Sequence, residues 1–92
     1  MPEATQHWRV IILREPKKVL SKLPKNVLHR IWVRIQDLEK DPRPDGCIKL
    51  QGYENLYRLR VGDWRIIYAV EDDRLIVLII EVAPRGGAYR NL

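Results

Sequence analysis

The sequence has few of the residues from which most catalytic and metal-binding sites are built. It contains one cysteine, one serine (Ser21) and two isolated histidines, His7 and His29. Neither histidine has a cysteine or carboxylate partner at metal-ligand spacing, so we expect no metal site. Neither lies near an apparent nucleophile, which disfavours a serine or cysteine hydrolase. A glycine-rich nucleotide-binding motif is also missing, and we therefore expect no cofactor.

Long hydrophobic runs are absent as well. The longest apolar run, residues 75–80, has six residues, far short of the roughly 18 that a membrane span requires. The N-terminal stretch lacks the basic and apolar segments of a secretory signal. The only cysteine, Cys47, cannot form an internal disulfide, which fits a reducing compartment. We therefore expect a cytoplasmic protein that does not associate with a membrane.

The composition that remains is typical of one globular domain. The chain has 92 residues, of which 46% are hydrophobic and 32% are charged, so we expect one domain over residues 1–92. Its net charge of +5 favours an acidic partner, and nucleic acid, a membrane surface or an acidic protein would each fit. All six basic residues from position 56 onward are arginine. Because a guanidinium matches phosphate oxygens in pairs, we look for phosphate recognition in that half.

The hydrophobic pattern predicts a strand over residues 8–13, two helices, and then three successive strands. The helices meet at Leu23-Pro24, and the second carries an apolar stripe of Val27, Leu28, Ile31, Trp32, Ile35 and Leu38. This order (β-α-α-β-β-β) predicts an α+β fold: a mostly antiparallel four-stranded sheet with an N-terminal helical hairpin on one face. The last strand, residues 75–82, is apolar on both faces except at Glu81, as in a doubly covered strand. Its register against the preceding strand stays open.

Residues 56–70, LYRLRVGDWRIIYAV, form the most informative segment. Two alternating runs flank Gly62-Asp63, which predicts a hairpin with a two-residue loop. Arg60 then faces Arg65 across the hairpin. One face is apolar, and the other carries Arg58, Arg60 and Arg65. A three-residue loop would separate Arg60 from Arg65, and arginine is also common on the solvated face of an ordinary sheet.

Arginine and tyrosine therefore supply most of the available chemistry. Arg85 follows the last strand and Tyr89 comes four residues later, although each alone could be a plain surface residue. Together with the hairpin arginines they could bind phosphates, stack bases and stabilise a phosphoryl-transfer transition state. RNA carries its own nucleophile, the 2′-OH, so such a site needs neither metal nor histidine. For Glu81, a lone acid in an apolar strand, we expect a role as an arginine's partner rather than as a catalyst.

Three segments together resemble a known family. Residues 49–70 (KLQGYENLYRLRVGDWRIIYAV), 84–89 (PRGGAY) and 22–31 (KLPKNVLHRI) are similar to the RelE/ParE superfamily of toxin–antitoxin systems, in its RelE branch. The resemblance covers nearly the whole chain. It implies a small basic, metal-independent endoribonuclease that cleaves mRNA in the ribosomal A site. It also implies a cognate antitoxin as partner, in a toxin–antitoxin hetero-oligomer, and no small-molecule cofactor.

The resemblance also implies roles for individual residues. Arg58 and Arg65 would bind the scissile phosphate, and Arg60 would bind that phosphate or its neighbour. Arg65, Arg85 and Tyr89 would form the catalytic set. The implied reaction is attack of the 2′-OH on the adjacent phosphate, giving a 2′,3′-cyclic phosphate and a free 5′-OH. Because a guanidinium has a pKa above about 12, Arg85 would stabilise the leaving oxygen by its charge rather than by donating a proton. Tyr89 would stack on the substrate or accept the 2′-OH proton.

Two features depart from the family pattern, and two other functions stay open. Pro84 stands where the family often has His or Lys, and Gly86-Gly87 loosens the segment before Tyr89. The alternatives are a ParE-like toxin that acts on gyrase without nuclease activity, and a non-catalytic RNA-binding relic. Retention of Arg65 together with the Arg85 and Tyr89 pair argues against the gyrase alternative, since that branch does not need them.

Overall fold

The computed structural model describes residues 7–85, which form two helices and a five-stranded sheet. In chain order the elements are β1 (Arg9–Ile12), α1 (Arg14–Ser21), α2 (Lys25–Asp37), β2 (Ile48–Lys49), β3 (Leu56–Val61), β4 (Trp64–Glu71) and β5 (Ile76–Pro84). The strand order is β1-β5-β4-β3-β2, and β1 with β5 is the one parallel pair in this sheet. The predicted α+β class with a mostly antiparallel sheet is confirmed, with five strands where four were predicted.

The additional strand, β2, is too short to leave a sequence pattern. Ile48 pairs with Arg58 and Lys49 pairs with Tyr57, and both β2 residues are exposed. A two-residue strand has no periodicity to detect, because alternation needs several residues to show. These two residues form a strand because they pair with β3. It forms one edge of the sheet, and β1 forms the other.

The two helices bury their apolar stripes against one face of the sheet. In α2 the buried residues are Ile31 and Ile35, and Leu38 directly after the helix is fully buried. Trp32 is 42% exposed, so its expected place on the buried stripe is wrong. The apolar stripe of α2 extends further around the helix than the part of its surface that the sheet covers. Neither described helix is both long and apolar enough to cross a membrane.

The core lies between the helices and the sheet face that β3, β4 and β5 present to them. It contains Leu20, Ile31, Ile35, Leu38, Tyr57, Leu59, Val61, Ile66, Tyr68, Val70, Val77, Ile79 and Val82. Side chains alternate faces along a strand. The other hairpin residues therefore lie on the face that points away from the helices, which is where the arginines are.

The register of β5, which the sequence left open, contains a bulge. Pairing runs regularly from Glu71 with Ile76 to Tyr68 with Ile79, and then continues at Ile67 with Glu81. Ile80 is the extra residue. The side chains of Ile76, Leu78 and Ile80 in β5 are only half-buried. The prediction that both faces of this strand are covered is therefore wrong. The strand also begins one residue later than predicted, because Leu75 has a positive φ of 54° in the preceding turn.

Candidate functional site

The hairpin loop consists of Gly62 and Asp63, as predicted. Val61 pairs with Trp64, and Arg60 pairs directly with Arg65. Gly62 has a φ of +61°, whereas Asp63 has a negative φ, the pattern expected of a type II′ turn with glycine first. The three-residue alternative, which would have separated the two arginines, is wrong.

The three hairpin arginines share the sheet face that points away from the helices. We call Arg58, Arg60 and Arg65 the arginine face. Its members differ in depth: Arg60 is exposed, Arg58 is half-buried, and Arg65 is only 4% exposed. Burying a charged group is costly, and a side chain that serves only solubility has no reason to be buried. The depth of Arg65 therefore favours a specific site over an ordinary solvated sheet face.

Arg85 begins the C-terminal segment beside the hairpin loop. Its backbone N–H donates to the carbonyl oxygen of Asp63 at 2.8 Å, and its side chain is exposed. The preceding residues Ala83 and Pro84 pair with Arg65 and Trp64. Arg85 therefore starts from the same end of the sheet as the Arg60 and Arg65 pair. Tyr89 and the Gly86-Gly87 pair lie outside the described residues.

The β5 bulge decides which face Glu81 occupies. Without the extra Ile80, Glu81 would oppose Ile66 and point into the core; with it, Glu81 opposes Ile67. Ile67 also pairs with Arg58 on its other side. Glu81 therefore lies in the same row as Arg58, on the arginine face. The expected role of Glu81 as the partner of an arginine stays a prediction.

Helix α2 also brings a cation to the hairpin loop. A Cβ built on Gly62 would lie 2.7 Å from Nη2 of Arg30, so the guanidinium of Arg30 rests against the loop. Arg30 and Asp63 line a small cleft of about 90 Å³ together with Trp64. Arg30 is not part of the apolar stripe predicted for α2, and the sequence gives no sign of this contact. Only the packing of α2 across the hairpin creates it.

A second polar cluster holds the far end of the sheet. Arg43 donates to both carboxylate oxygens of Asp72, at 2.7 and 3.1 Å, and from Nε to the Tyr57 hydroxyl at 2.9 Å. The Arg43 guanidinium lowers the pKa of Asp72 by hydrogen bonding to the carboxylate. The Tyr68 hydroxyl donates to the Pro42 carbonyl at 2.8 Å, and burial raises its pKa. These contacts fix the loop after α2 onto the sheet, away from the arginine face.

An apolar groove lies between the two helices. Its volume is about 580 Å³, and its lining residues are Ile12, Lys17, Leu20, Ser21, Lys25, Leu28, His29 and Trp32. The exposed face of Trp32, which the sequence assigned to the core, forms part of this groove. Lys17 and Lys25 add positive charge to it. Between His7 and Arg85, no group of three or more His, Cys, Asp or Glu residues is placed to hold a metal ion.

Toxins of toxin–antitoxin systems share this sequence pattern and fold. The family model described as the ParE toxin of the type II toxin–antitoxin system parDE matches residues 2–89. A protein named putative toxin RelE1, from Methanocaldococcus jannaschii, is 32% identical over 91% of this chain and 97% of its own length.

Two solved structures show the same fold. The archaeal RelE–RelB complex from Pyrococcus horikoshii OT3 matches with a TM-score of 0.79 and 37% identity, over 89% of this chain and 99% of the matched one. The isolated E. coli RelE toxin matches with a TM-score of 0.75 over 84% of this chain and 83% of its own, and at 22% identity it supports the fold alone. The family model carries the ParE name, whereas these relatives are RelE proteins. The chain belongs to the RelE/ParE superfamily of type II toxin–antitoxin toxins, in its RelE branch.

Proposed function

We propose that this toxin is a ribosome-dependent endoribonuclease that cleaves mRNA in the A site and so inhibits translation. The observation that carries the proposal is the pairing of Arg60 with the buried Arg65, on the face that the helices leave uncovered. Like charges placed directly opposite each other weaken a hairpin. A polyanion site would explain the arrangement, because a bound phosphate attracts both guanidinium groups and offsets their repulsion.

The reaction uses the substrate's own hydroxyl as nucleophile. The 2′-OH loses its proton as its oxygen attacks the adjacent phosphorus, and the bond to the 5′-oxygen breaks. The leaving 5′-oxygen takes a proton from water, which gives a 2′,3′-cyclic phosphate and a free 5′-OH. Arg58 and Arg65 hold the scissile phosphate and offset its developing negative charge. Arg60 binds the same or the next phosphate. Arg85 stabilises the leaving oxygen, and Tyr89 stacks on a base or accepts the 2′-OH proton.

In this proposal the ribosome aligns the substrate, which the small site of the toxin does not do alone. The hydroxyl of a tyrosine has a reference pKa of about 10, so Tyr89 alone is a poor base at neutral pH. Alignment of a reacting hydroxyl with its phosphate can account for several kcal/mol of a barrier, roughly 7–11 kcal/mol in the best cases. We propose that the A site holds the mRNA in that alignment, and that free RNA is cleaved poorly.

A cognate antitoxin is the proposed protein partner. The Pyrococcus horikoshii relative was solved as a RelE–RelB complex. We propose that an antitoxin helix fills the apolar groove between α1 and α2, where Trp32 and Leu28 offer apolar surface. Acidic residues on that helix would complement Lys17 and Lys25. Another antitoxin segment would cover the arginine face, and together the two chains would form a hetero-oligomer.

The main alternative is action on DNA gyrase, which the ParE family model favours by name. A gyrase-directed toxin acts through a protein surface and does not need paired arginines on one sheet face. Induction of Arg65→Ala in cells separates the two functions, with the exposed Arg74→Ala as control. We expect Arg65→Ala to stop growth arrest and Arg74→Ala to retain it.

Primer extension on translated mRNA identifies the target. We expect codon-phased cuts that disappear when ribosomes are omitted. Uncut mRNA together with loss of plasmid supercoiling would establish the gyrase alternative instead. Because Arg65 is buried, thermal melting must show that its variant folds; the exposed Arg60→Ala provides a second test in which folding is not at risk. Normal growth arrest by a folded Arg65→Ala protein would exclude the nuclease proposal.

A further inference from the structure

We propose that the cleft beside the hairpin loop binds a guanine base of the RNA, next to the cleaved bond. This inference rests on the proposed nuclease function and goes beyond it by assigning residues that select a base. The lining residues of the cleft are Val27, Arg30, Ile31, Val61, Asp63 and Trp64. Its volume is about 90 Å³, whereas one water needs roughly 10–15 Å³. The cleft therefore has room for the edge of a planar ring.

Two opposite charges line this cleft without forming an ion pair. Arg30 and Asp63 are both exposed, so their charged groups are accessible to a ligand. Within residues 7–85, no carboxylate oxygen lies within 4.0 Å of the Arg30 guanidinium, and no cationic nitrogen lies that close to the Asp63 carboxylate. A ligand that contacts both groups must offer hydrogen-bond acceptors to the guanidinium and donors to the carboxylate.

The glycine at position 62 gives the Arg30 guanidinium its place beside the loop. A Cβ built on Gly62 would lie 2.7 Å from Nη2 and 3.3 Å from Cζ of Arg30, so any larger residue would displace the guanidinium. A side chain that rests against backbone has less freedom than one in solvent. Its planar fork therefore loses little further entropy when it pairs with the edge of a base.

Guanine offers the groups that Arg30 and Asp63 require. Its O6 and N7 atoms accept two hydrogen bonds from an arginine, the commonest specific contact between a protein and a base. Its N1–H and N2 amino groups donate side by side, which suits the two acceptor oxygens of a carboxylate. The half-buried Trp64 adds an aromatic surface, on which bases of single-stranded RNA commonly stack. A phosphate fits less well, because the Asp63 carboxylate repels it.

The cleft lies one ladder position from the pair of arginines that would bind phosphate. Val61 pairs with Trp64 at the loop, and Arg60 pairs with Arg65 at the next position. Successive residues of a strand are about 3.4 Å apart and point to opposite faces. The cleft therefore opens on the helix side of the loop, and Arg60 lies on the other side. An RNA strand whose phosphate binds the exposed Arg60 can pass around the two-residue loop and place a neighbouring base in the cleft.

Cleavage of a series of mRNAs on purified ribosomes tests the assignment with the full-length protein. The mRNAs differ only in the base beside the cleaved bond, on its 5′ side in one set and on its 3′ side in the other. A bidentate contact discriminates between bases by roughly 5- to 150-fold. We expect the wild type to favour guanine by a factor in that range in one of the two sets. Arg30→Gln and Asp63→Asn should lose most of this preference.

The ratio of rates between bases separates base recognition from other roles of Arg30. An arginine that binds a phosphate contributes equally to all sequences, and its loss reduces the dependence of binding on salt. A residue that only supports the loop also affects all mRNAs alike. An equal loss of cleavage by Arg30→Gln on all four bases would therefore show that the assignment is wrong.

Arg34→Gln is the matched control. Arg34 lies one turn later on α2, is ion-paired with Asp37 at 3.6 Å, and does not line the cleft. We expect this variant to keep the wild-type preference for guanine. Thermal melting establishes that each variant is folded.

The remaining outcomes separate this inference from the proposed nuclease function. If folded Arg30→Gln and Asp63→Asn keep the base preference of the wild type while Arg65→Ala does not cleave, the guanine cleft is wrong and the nuclease proposal stands. Weaker antitoxin binding with an unchanged base preference would assign the cleft to the antitoxin and also overturn the inference. If the wild type cleaves no mRNA on ribosomes, both proposals are wrong.

Discussion

The backbone N–H of Arg85 donates to the carbonyl oxygen of Asp63 at 2.8 Å, which joins the start of the C-terminal segment to the hairpin loop. The same loop receives the guanidinium of Arg30 on its other side, against Gly62. Loop conformation therefore controls both the pairing of Arg60 with Arg65 and the position from which Arg85 extends. We expect changes at the loop to affect activity more than their effect on stability suggests.

Gly62→Ala should separate the effect of the loop on activity from its effect on stability. Gly62 has a φ of +61°, where an alanine costs about 1–2 kcal/mol, and the new Cβ would displace the end of the Arg30 side chain. We expect a lower melting temperature and a cleavage rate that falls further than the unfolded fraction explains. Gly52→Ala imposes similar strain at φ +87° with no atom within 4 Å, so it should lower stability and leave cleavage intact. Equal losses of cleavage in the two variants would show that the loop has no special role.

The hairpin could be predicted from the sequence because its information is local. Alternation of apolar and polar residues assigns faces, and Gly62-Asp63 between two such runs fixes the loop length and so the pairing of Arg60 with Arg65. The α+β order followed from the same periodicities, since an apolar stripe on α2 requires a sheet to cover it. These features depend on residues only a few positions apart.

The remaining features depend on distant residues and could not be predicted in this way. The bulge at Ile80 depends on how β5 pairs with β4 along its length, and a regular ladder would bury Glu81 in the core. Trp32 has the spacing of a core residue, but the sheet does not extend far enough to cover it. Arg30 reaches the hairpin loop only because α2 crosses it.

Replacement of Arg60 should stabilise the fold while it impairs function. Arg60 directly opposes Arg65, and like charges in that position destabilise a pair by roughly 0.2–1 kcal/mol. We expect Arg60→Thr to raise the free energy of unfolding by an amount in that range, and to weaken ribosome-dependent cleavage. Salt screens the repulsion, so the gain should shrink as ionic strength rises. Arg60→Lys keeps the charge and should show no gain; a gain as large as that of threonine would contradict charge repulsion as the cause.

The Arg43 and Asp72 pair predicts a particular dependence of stability on pH. Arg43 lowers the pKa of Asp72 in the folded state below its ordinary value of 3.8. A carboxyl group whose folded-state pKa is lowered stabilises the protein above the unfolded-state pKa and loses that contribution as pH falls through the folded-state pKa. Denaturant unfolding of Asp72→Asn should therefore show lower stability than the wild type at neutral pH. The difference should close below pH 3.8, and a difference that stays constant in acid would contradict the ion pair as its source.

The groove between α1 and α2 leads to a prediction about neutralisation. If an antitoxin helix fills this groove, a carboxylate at Trp32, which is 42% exposed, should block docking without disturbing the core. We expect Trp32→Glu to arrest growth as the wild type does and to continue doing so when the antitoxin is co-expressed. Binding to the purified antitoxin should weaken by an amount that isothermal titration calorimetry can measure.

Val33 provides the control for this variant. Val33 neighbours Trp32 on α2 and is similarly exposed, at 39%, but does not line the groove. Val33→Glu should therefore remain fully neutralised. Lys17→Glu and Lys25→Glu test the charge complementarity and should weaken antitoxin binding more at low salt than at high salt, because exposed charges are screened. Neutralisation of Trp32→Glu at the wild-type antitoxin dose would show that the antitoxin binds elsewhere.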